Sequence, residues 1–415
     1  MNHARHAPWA GGGIPSLRQL RMLRAIDRHG SLSGAARALN RTQSAVSKAL
    51  SELEATLGVR LFDRRPAGVT PTAHGKRLIE RIHEAGAQFD LAARAYRAAL
   101  RRPPRLQHNP VFTMEIGRRR LSTFLAVHEL RDVRLAARAE GITPSAVYDT
   151  LRTLEDVLEL PLFEPAAAGL RSTVFADVFA MHVRLALSLL RHGVDEIRSA
   201  GGRITGRVVV GTLPYSRTLI LPRAIHRVLS AHPGIAIGTR EGPYDVLETA
   251  LRSGSLDLII GATRRLPADS GLRTEELFED ELAVICGRNH PLATRRKVTL
   301  GEILRYGWIL PPPSTPARRL FGRFLARRGL VEPAQVVETS SLSTTRGLLL
   351  ESDWLALLST HQVQLDQSAG LLVTLPIRLE GTFRPIGITL RAGSTPSPAA
   401  QLFIEALRAQ RPTSR

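Results

Sequence analysis

Residues 17–75 read LRQLRMLRAIDRHGSLSGAARALNRTQSAVSKALSELEATLGVRLFDRRPAGVTPTAHG, and this stretch decides the fold of the N-terminal part of the chain. Its apolar residues recur at helical spacing, and Gly30-Ser31 interrupts the pattern. Ser33 is a candidate N-cap for a second helix, and Thr42 for a third helix that runs from Gln43 to about Leu57. Two helices joined by a short turn predict a helix-turn-helix.

After the third helix, residues 58–62 and Val69-Thr70 predict two short strands around a turn at residues 63–68, the wing of the domain. In such a domain the start of the third helix faces the edges of the DNA bases. At these positions a Gln side chain can form two hydrogen bonds with adenine, Ser can contact a base or a phosphate, and Lys can contact guanine or a phosphate. Arginines at the wing tip either enter a minor groove or hold the phosphate backbone. The candidate DNA-binding residues are Ser33, Thr42, Gln43, Ser44, Ser47, Lys48, Arg64 and Arg65.

The chain contains a second copy of this pattern. Residues 20–76 match 121–177 without a gap at an offset of 101, with 19 of 57 positions identical. In place of Gln43, Ser47, Lys48, Arg64 and Arg65, the second copy has Pro144, Tyr148, Asp149, Pro165 and Ala166. The net charge of the matched window changes from +6 to −4, and a surface of that sign repels phosphate. We expect a degenerate winged domain that is retained for packing or dimer contacts, the alternative being an unusual second DNA reader.

The first copy resembles the winged helix-turn-helix of LysR-type transcriptional regulators. The motifs that carry the resemblance are Gly30-Ser31-Leu32, Ala35-Ala36, Gln43 to Ser47, Leu53-Glu54, Leu57-Gly58, Leu61-Phe62-Asp63-Arg64 and Thr70-Pro71-Thr72. Two features depart from the family: many members have Pro at the position of Ser44, and most have a single winged copy. The resemblance implies a sequence-specific regulator that binds double-stranded DNA. Since two-fold proteins read palindromes, we expect a homodimer or homotetramer on an inverted-repeat promoter site, with RNA polymerase as a further partner.

Long amphipathic helices are predicted after both winged copies, at residues 76–100 and 178–202. In the family the helix after the wing pairs two subunits, so either helix is a candidate for that contact. Packing of each helix on its own winged domain stays open as the alternative. The predicted organisation is a winged domain at 17–75, a linker helix at 76–100, a degenerate winged domain at 118–177, a second linker helix at 178–202 and an effector-binding domain at 203–410.

From Gly206 onward, strands alternate with helices, which predicts two doubly wound lobes with a cleft at the strand ends. Residues Leu371–Pro376 and Ile386–Leu390 are expected to be strands that return to the first lobe. This half resembles the periplasmic-binding-protein-like effector domain of the LysR family, with landmarks such as His232-Pro233-Gly234. The predicted fold class is therefore an α-rich pair of winged helix-turn-helix copies followed by an α/β two-lobed domain.

The resemblance also implies that a small effector binds between the lobes, held by hydroxyls and backbone amides of the loops after strands. Mapped onto this sequence, the candidate effector-binding residues are Tyr215, Ser216, Arg217, Thr263, Ser314, Thr315, Ser340 and Ser341. Helix N-termini that begin at such hydroxyl residues attract carboxylate or phosphate oxygens. Arg217 favours an anionic ligand, whereas the hydroxyls suit a sugar equally well. The expected effector is a sugar or an organic or aromatic acid.

Composition limits the remaining classes of function. Residues 1–120 hold 22 basic and 8 acidic groups, a net +14 of the total +20, so we expect phosphate to meet this part of the 415-residue chain. The single cysteine, Cys286, allows no intramolecular disulfide, no metal-ligand spacing is present, and the apolar runs are too short for a membrane span. We therefore expect a cytoplasmic protein without metal or cofactor.

The sequence has no GxSxG, P-loop or GxGxxG motif, so no catalytic residues are expected. The alternative function is that of a small-molecule-binding protein or an enzyme of α/β fold.

Overall fold

A computed structural model describes residues 14–65, 68–100, 108–167, 169–199 and 204–410. The chain divides into two compact units, one built mainly from residues up to Gly206 and the other mainly from Arg207 onward. The first unit combines helices with two small hairpins, and the second contains a mixed sheet interspersed with helices.

The first winged domain consists of three helices and a hairpin. Its elements are α1 (Leu17–His29), α2 (Leu32–Ala38), α3 (Gln43–Leu57), β1 (Phe62–Arg65) and β2 (Gly68–Pro71). The bounds of α3 confirm the predicted third helix, because Thr42 caps it by accepting a hydrogen bond from the backbone N–H of Ala45. The cap predicted at Ser33 is wrong. Ser31 has the extended backbone of an N-cap and accepts from the N–H of Gly34, so Ser33 lies inside the first turn of α2.

The second winged domain repeats these elements in the same order. After α4 (Ala73–Ala99), they are α5 (Arg118–Leu130), α6 (Val133–Glu140), α7 (Pro144–Leu158), β3 (Phe163–Ala166), β4 (Gly169–Ser172) and α8 (Val174–Ser199). α5 begins 101 residues after α1 (118 − 17), and α8 begins 101 residues after α4 (174 − 73). The repeat therefore extends beyond the winged domains into the long helices. Residues 200–202, which the sequence analysis assigned to the second linker helix, lie outside the described residues.

One continuous apolar core joins all of these helices. It includes Leu23 of α1, Leu53 of α3, Phe124 of α5 and Leu154 of α7, each at most 1 % exposed. The faces of α4 and α8 contribute to the same core through residues such as Phe89. Burial of aliphatic and aromatic side chains on this scale is the main stabilising contribution to a helical unit. The two winged domains and their long helices are thus packed as one body.

The second unit alternates strands and helices. Its strands are β5 (Gly206–Thr212), β6 (Ile235–Glu241), β7 (Leu258–Ala262), β8 (Leu272–Gly287), β9 (Trp308–Leu310), β10 (Val336–Glu338), β11 (Leu355–Ser359), β12 (Leu372–Thr374) and β13 (Phe383–Arg391). Its helices are α9 (Ile220–Ala231), α10 (Tyr244–Arg252), α11 (Leu300–Ile303), α12 (Pro316–Ala326), α13 (Leu342–Glu351), α14 (Gln364–Ser368) and α15 (Pro398–Arg408).

The sheet has the strand order β10-β9-β11-β8-β13-β7-β5-β6, with β12 also paired to β8. β5 and β7 are parallel in the first lobe, and β9, β10 and β11 are parallel in the second. The long strand β8 belongs to both lobes, because Leu272–Glu281 pairs with β13 and Leu282–Gly287 pairs with β11 and β12. The expectation that Leu371–Pro376 returns to the first lobe is therefore wrong. The second of the two returning strands does reach the first lobe, since β13 pairs with β7.

Candidate DNA-binding surface and ligand cavity

The start of α3 presents a polar surface. Val46, Leu50 and Leu53 face the core and are at most 3 % exposed. Gln43, Ser44 and Lys48 are consequently exposed, as are Thr42 and Ser33, while Ser47 is half-buried. This arrangement leaves the candidate base-contacting side chains on the face opposite the apolar stripe.

The wing lies against the same surface. The guanidinium of Arg64 donates a hydrogen bond of 3.1 Å to the hydroxyl of Ser47, and Arg65 next to it is exposed. The other side of the hairpin is fixed to the end of α1, where the N–H of Val69 donates to the carbonyl of Gly30 at 2.9 Å. Gly68 is required for this contact, because its φ is +135° and a Cβ atom there would lie 2.4 Å from the Gly30 oxygen. The structure thus brings together α3 and the wing tip.

The second winged domain keeps the supporting contacts of the first. The carboxylate of Glu54 accepts from the N–H of Leu61 at 2.7 Å, and Glu155 accepts from Leu162 at the same distance. Thr143 caps α7 as Thr42 caps α3, with 3.2 Å to the backbone N–H in both cases. The repeat therefore preserves the backbone geometry of the helix-turn-helix.

The outward face of the second copy has different chemistry. Tyr148 is 56 % exposed on α7, next to the exposed carboxylate of Asp149, and Pro144 occupies the first position of the helix. In the second wing, Pro165 and Ala166 are exposed. At the positions of Lys48, Arg64 and Arg65, the second copy therefore offers phosphate no cation, and the exposed Arg171 of its wing is paired with Glu164.

A cavity of about 930 Å3 opens in the second unit, between the loops that follow β5, β6, β7 and β9 and the start of α13. The lining includes five of the eight candidate effector-binding residues: Tyr215, Arg217, Ser314, Thr315 and Ser340. Arg217 forms an ion pair of 3.1 Å with Glu241, and a second Nη donates to the carbonyl of Thr212 at 3.0 Å. Burial lowers the pKa of Arg217, and Glu241 opposes that effect.

The other three candidates are held by the protein itself and are not among the lining residues. Ser216 is fully buried, and its hydroxyl donates to the carbonyls of Leu213 at 2.9 Å and Ile260 at 3.3 Å. The hydroxyl of Thr263 donates to the carbonyl of Pro385 at 3.4 Å. Ser341 caps α13 by accepting from the backbone N–H of Thr344 at 3.2 Å.

The sequence analysis missed three arginines that line the cavity: Arg264, Arg319 and Arg384. The guanidinium of Arg264 lies 5.0 Å from the ring centroid of Tyr244 and donates to the carbonyl of Ser314 at 3.1 Å. Burial lowers the pKa of Arg264, and the like charge of Arg319 lowers it further. Arg264 directly follows the candidate Thr263 at the end of β7, so the rule that located Thr263 could have included it.

Arg384 lies on β13 and forms an ion pair of 3.0 Å with Asp280, whose side chain is buried. The same guanidinium lies 5.4 Å from the ring centroid of Tyr215. Local sequence contains no signal for this residue, because the pairing of β13 with β8 and β7 brings it to the cavity. The cavity therefore combines apolar and aromatic walls with several guanidinium groups.

Three further features of the described part of the chain bear on other classes of site: its cysteine, its possible metal ligands and its long helices. Cys286 is buried, and burial raises the pKa of its thiol to about 12, which disfavours the reactive thiolate. Histidine, cysteine and acidic side chains form no group there that could hold a metal ion. Of the helices described, none is both long and apolar enough to span a membrane.

Two family models match the chain. The model of the LysR substrate binding domain matches residues 201–412, and that of the bacterial regulatory helix-turn-helix protein of the LysR family matches twice, at 17–76 and 118–176. The transcriptional regulator GalR of Pseudomonas putida is 36 % identical over 395 residues, which cover 95 % of this chain and 97 % of GalR. The regulator PcaQ of Agrobacterium fabrum is 29 % identical over 70 % of this chain and 93 % of its own length.

Solved structures show the same fold. A full-length OxyR variant from Pseudomonas aeruginosa has a TM-score of 0.52 at 21 % identity, covering 70 % of this chain and 97 % of its own. CbnR, a LysR family transcriptional regulator solved in complex with its target DNA, has a TM-score of 0.52 at 18 % identity, covering 70 % and 98 %. With two winged helix-turn-helix domains and an effector-binding domain, the chain belongs to the LysR family of bacterial transcriptional regulators.

Proposed function

We propose that the chain reads its DNA site with the exposed start of α3 and the tip of the first wing. Base contacts come from Gln43, Ser44, Ser47 and Lys48, phosphate contacts from Ser33 and Thr42, and groove or backbone contacts from Arg64 and Arg65. The observation that carries this proposal is the hydrogen bond between Arg64 and Ser47, because it joins a cation of the wing to the base-facing side of the helix.

The second winged domain, in this proposal, does not read DNA. Its support is the exposed pair of Tyr148 and Asp149 at the positions of Ser47 and Lys48, on a backbone that keeps the same caps. Since non-specific binding depends on cations that neutralise phosphates, an acidic face lowers the affinity for any DNA sequence.

The ligand of the cavity is proposed to be a small organic anion with an apolar body. The charged residues of the lining are four arginines (Arg217, Arg264, Arg319 and Arg384) and two acids (Glu241 and Asp245), a net charge of +2, and Asp280 outside the lining pairs with Arg384. Nε of Arg217, Nε of Arg264 and one Nη of Arg384 are buried and donate no hydrogen bond to an acceptor among the described residues. The same three arginines line the cavity, where the remaining N–H groups of a guanidinium can form charge-assisted hydrogen bonds with a carboxylate.

Calorimetric titration of the full chain tests the ligand class with three probes: benzoate, succinate and galactose. We expect heat of binding from at least one of the two acids and none from galactose. Replacing Arg264 with Gln should weaken acid binding by about 10- to 100-fold, the loss of a hydrogen bond to a charged group. The matched control is Arg305→Gln, which removes an exposed guanidinium outside the lining. Binding of galactose with equal affinity in both variants would contradict the anionic ligand.

The remaining parts of the proposal concern the cellular role. Because the relatives named above are transcriptional regulators, we propose that the chain acts in the cytoplasm as a regulator and not as an enzyme. It binds an inverted repeat as a homodimer or homotetramer, and RNA polymerase is its further partner at the promoter. Ligand binding regulates transcription only if the ligand has different affinities for two arrangements of the protein.

A further inference from the structure

The long helices α4 and α8 pack against each other in antiparallel orientation. The start of α4 lies beside the end of α8, since a Cβ atom at Gly193 would be 3.1 Å from atoms of Leu78 and Arg81. The end of α4 lies beside the start of α8, since the rings of Tyr96 and Phe175 are 6.1 Å apart. Because α8 is the repeat of α4, this is a pairing between two equivalent helices of one chain.

Polar contacts fix the register of the pair. The guanidinium of Arg81 is 4 % exposed and forms one ion pair with Glu196 of α8 and another, at 3.0 Å, with Glu84 of α4. Midway along the helices, the side chains of Gln88 and His182 share a hydrogen bond of 2.9 Å. Loss of the acidic partner of a buried guanidinium would strongly destabilise the protein. These contacts therefore favour one register of α4 relative to α8.

The apolar faces of both helices are covered by the same contact. Ile82 and Phe89 of α4 and Val183 and Leu190 of α8 are at most 1 % exposed. These residues belong to the core that also contains the interiors of both winged domains. A second chain could reach these faces only by displacing the helix that already covers them.

We propose that α4 and α8 form an internal dimer, in which the second copy of the repeat takes the place that a second chain would otherwise occupy on α4. Each chain then contributes one DNA-reading domain, and this part of the inference rests on the proposed function. Chains assemble with one another through surfaces other than this helix pair. Chain connectivity favours this outcome, because the pairing of two helices of one chain is intramolecular and does not depend on the protein concentration.

Disulfide trapping distinguishes pairing within a chain from exchange between chains. In the full chain, Gln88→Cys and His182→Cys place two thiols across the helix pair, at half-buried positions, and the native Cys286 is buried. After oxidation we expect a cross-linked species of single-chain mass with altered mobility on a non-reducing gel. When the two single variants are unfolded together, refolded and oxidised, we expect no heterodimer. A cross-linked species of twice the chain mass in either experiment would overturn the proposal.

A second measurement needs no substitution. Hydrogen exchange of the unmodified chain reports the protection of the α4 and α8 amides, and we expect it to stay unchanged over about a hundredfold dilution, since an internal pair does not depend on protomer concentration. Loss of protection in both helices on dilution would show that they pair between chains. Neither readout involves DNA, so failure of the DNA-reading assignment would leave both results in place.

Discussion

The Arg64 guanidinium and the Ser47 hydroxyl are hydrogen-bonded at 3.1 Å, so the wing and the DNA-facing helix of the first winged domain form one surface. Replacing Arg64 with Ala should weaken binding to cognate and random DNA alike and lower the salt slope of log K by about 1. Fluorescence anisotropy at several salt concentrations measures both quantities. The control is Arg171→Ala, an exposed wing arginine of the second copy that pairs with Glu164. A loss restricted to the cognate sequence would contradict a phosphate contact.

Ser216 should matter for stability and not for ligand affinity. Its buried hydroxyl donates to two backbone carbonyls. Ser216→Ala removes this donor, although each carbonyl still accepts from a backbone N–H. We expect the free energy of unfolding to fall by about 0.5 to 1.5 kcal/mol. The dissociation constant for the acid that binds the parent chain should stay the same. If calorimetry instead shows weaker binding with unchanged stability, Ser216 contacts the ligand directly.

Gly75 at the start of α4 should not tolerate a side chain. A Cβ atom there would lie 2.0 Å from the carbonyl oxygen of Leu61, which already accepts from the N–H of Thr72. Gly75→Ala should therefore lower the free energy of unfolding by about 1 to 3 kcal/mol, as overpacking does. Urea unfolding checks this against Gly347→Ala, an exposed helical site with open space, where we expect a gain of about 0.5 to 1 kcal/mol. Equal effects at the two sites would refute the steric explanation.

Stability should decrease on acidification below about pH 6.5. Burial lowers the pKa of His128, His182 and His290 below the ordinary value of 6.5. Between pH 7 and pH 5, these histidines therefore bind more protons in the unfolded chain than in the folded chain. The free energy of unfolding falls as the pH falls through this range. Urea titrations at several pH values measure the slope. The slope should be smaller in His182→Gln than in the parent chain. A stability that rises on acidification would contradict the assignment.

Local sequence was sufficient to predict the third helix of the first winged domain. The cap at Thr42 and the apolar spacing from Val46 to Leu57 defined α3 to its end residues. The error at Ser33 is also local: Ser31 and Ser33 are both good capping residues, and the backbone conformation of Ser31 decides between them. The apolar faces of both long helices were predicted, but an apolar face does not specify its partner. The pairing of α4 with α8 therefore required the structure.

The cavity was only partly predictable for a different reason. Tyr215, Arg217 and Thr315 follow strands in the sequence, and the rule that ligands bind beyond strand ends located them. Arg384 lies within β13, and its position depends on pairing with Asp280 of β8, more than 100 residues earlier in the sequence (384 − 280 = 104). The same rule could not separate Ser216 from its neighbours, because whether a hydroxyl faces the cavity or the backbone depends on the turn at Pro214–Arg217.

A pair of matched double variants tests the central claim most directly, namely that the first of the two winged domains reads DNA. In the full chain, Gln43→Ala with Lys48→Ala is compared with Pro144→Ala and Asp149→Ala, the changes at the same two positions of the repeat. Anisotropy titrations use a site selected from random DNA with the parent protein. We expect the first double variant to lose about 1 to 3 kcal/mol for each base contact and the second to bind as the parent does. An equal or larger loss in the second variant would contradict the account.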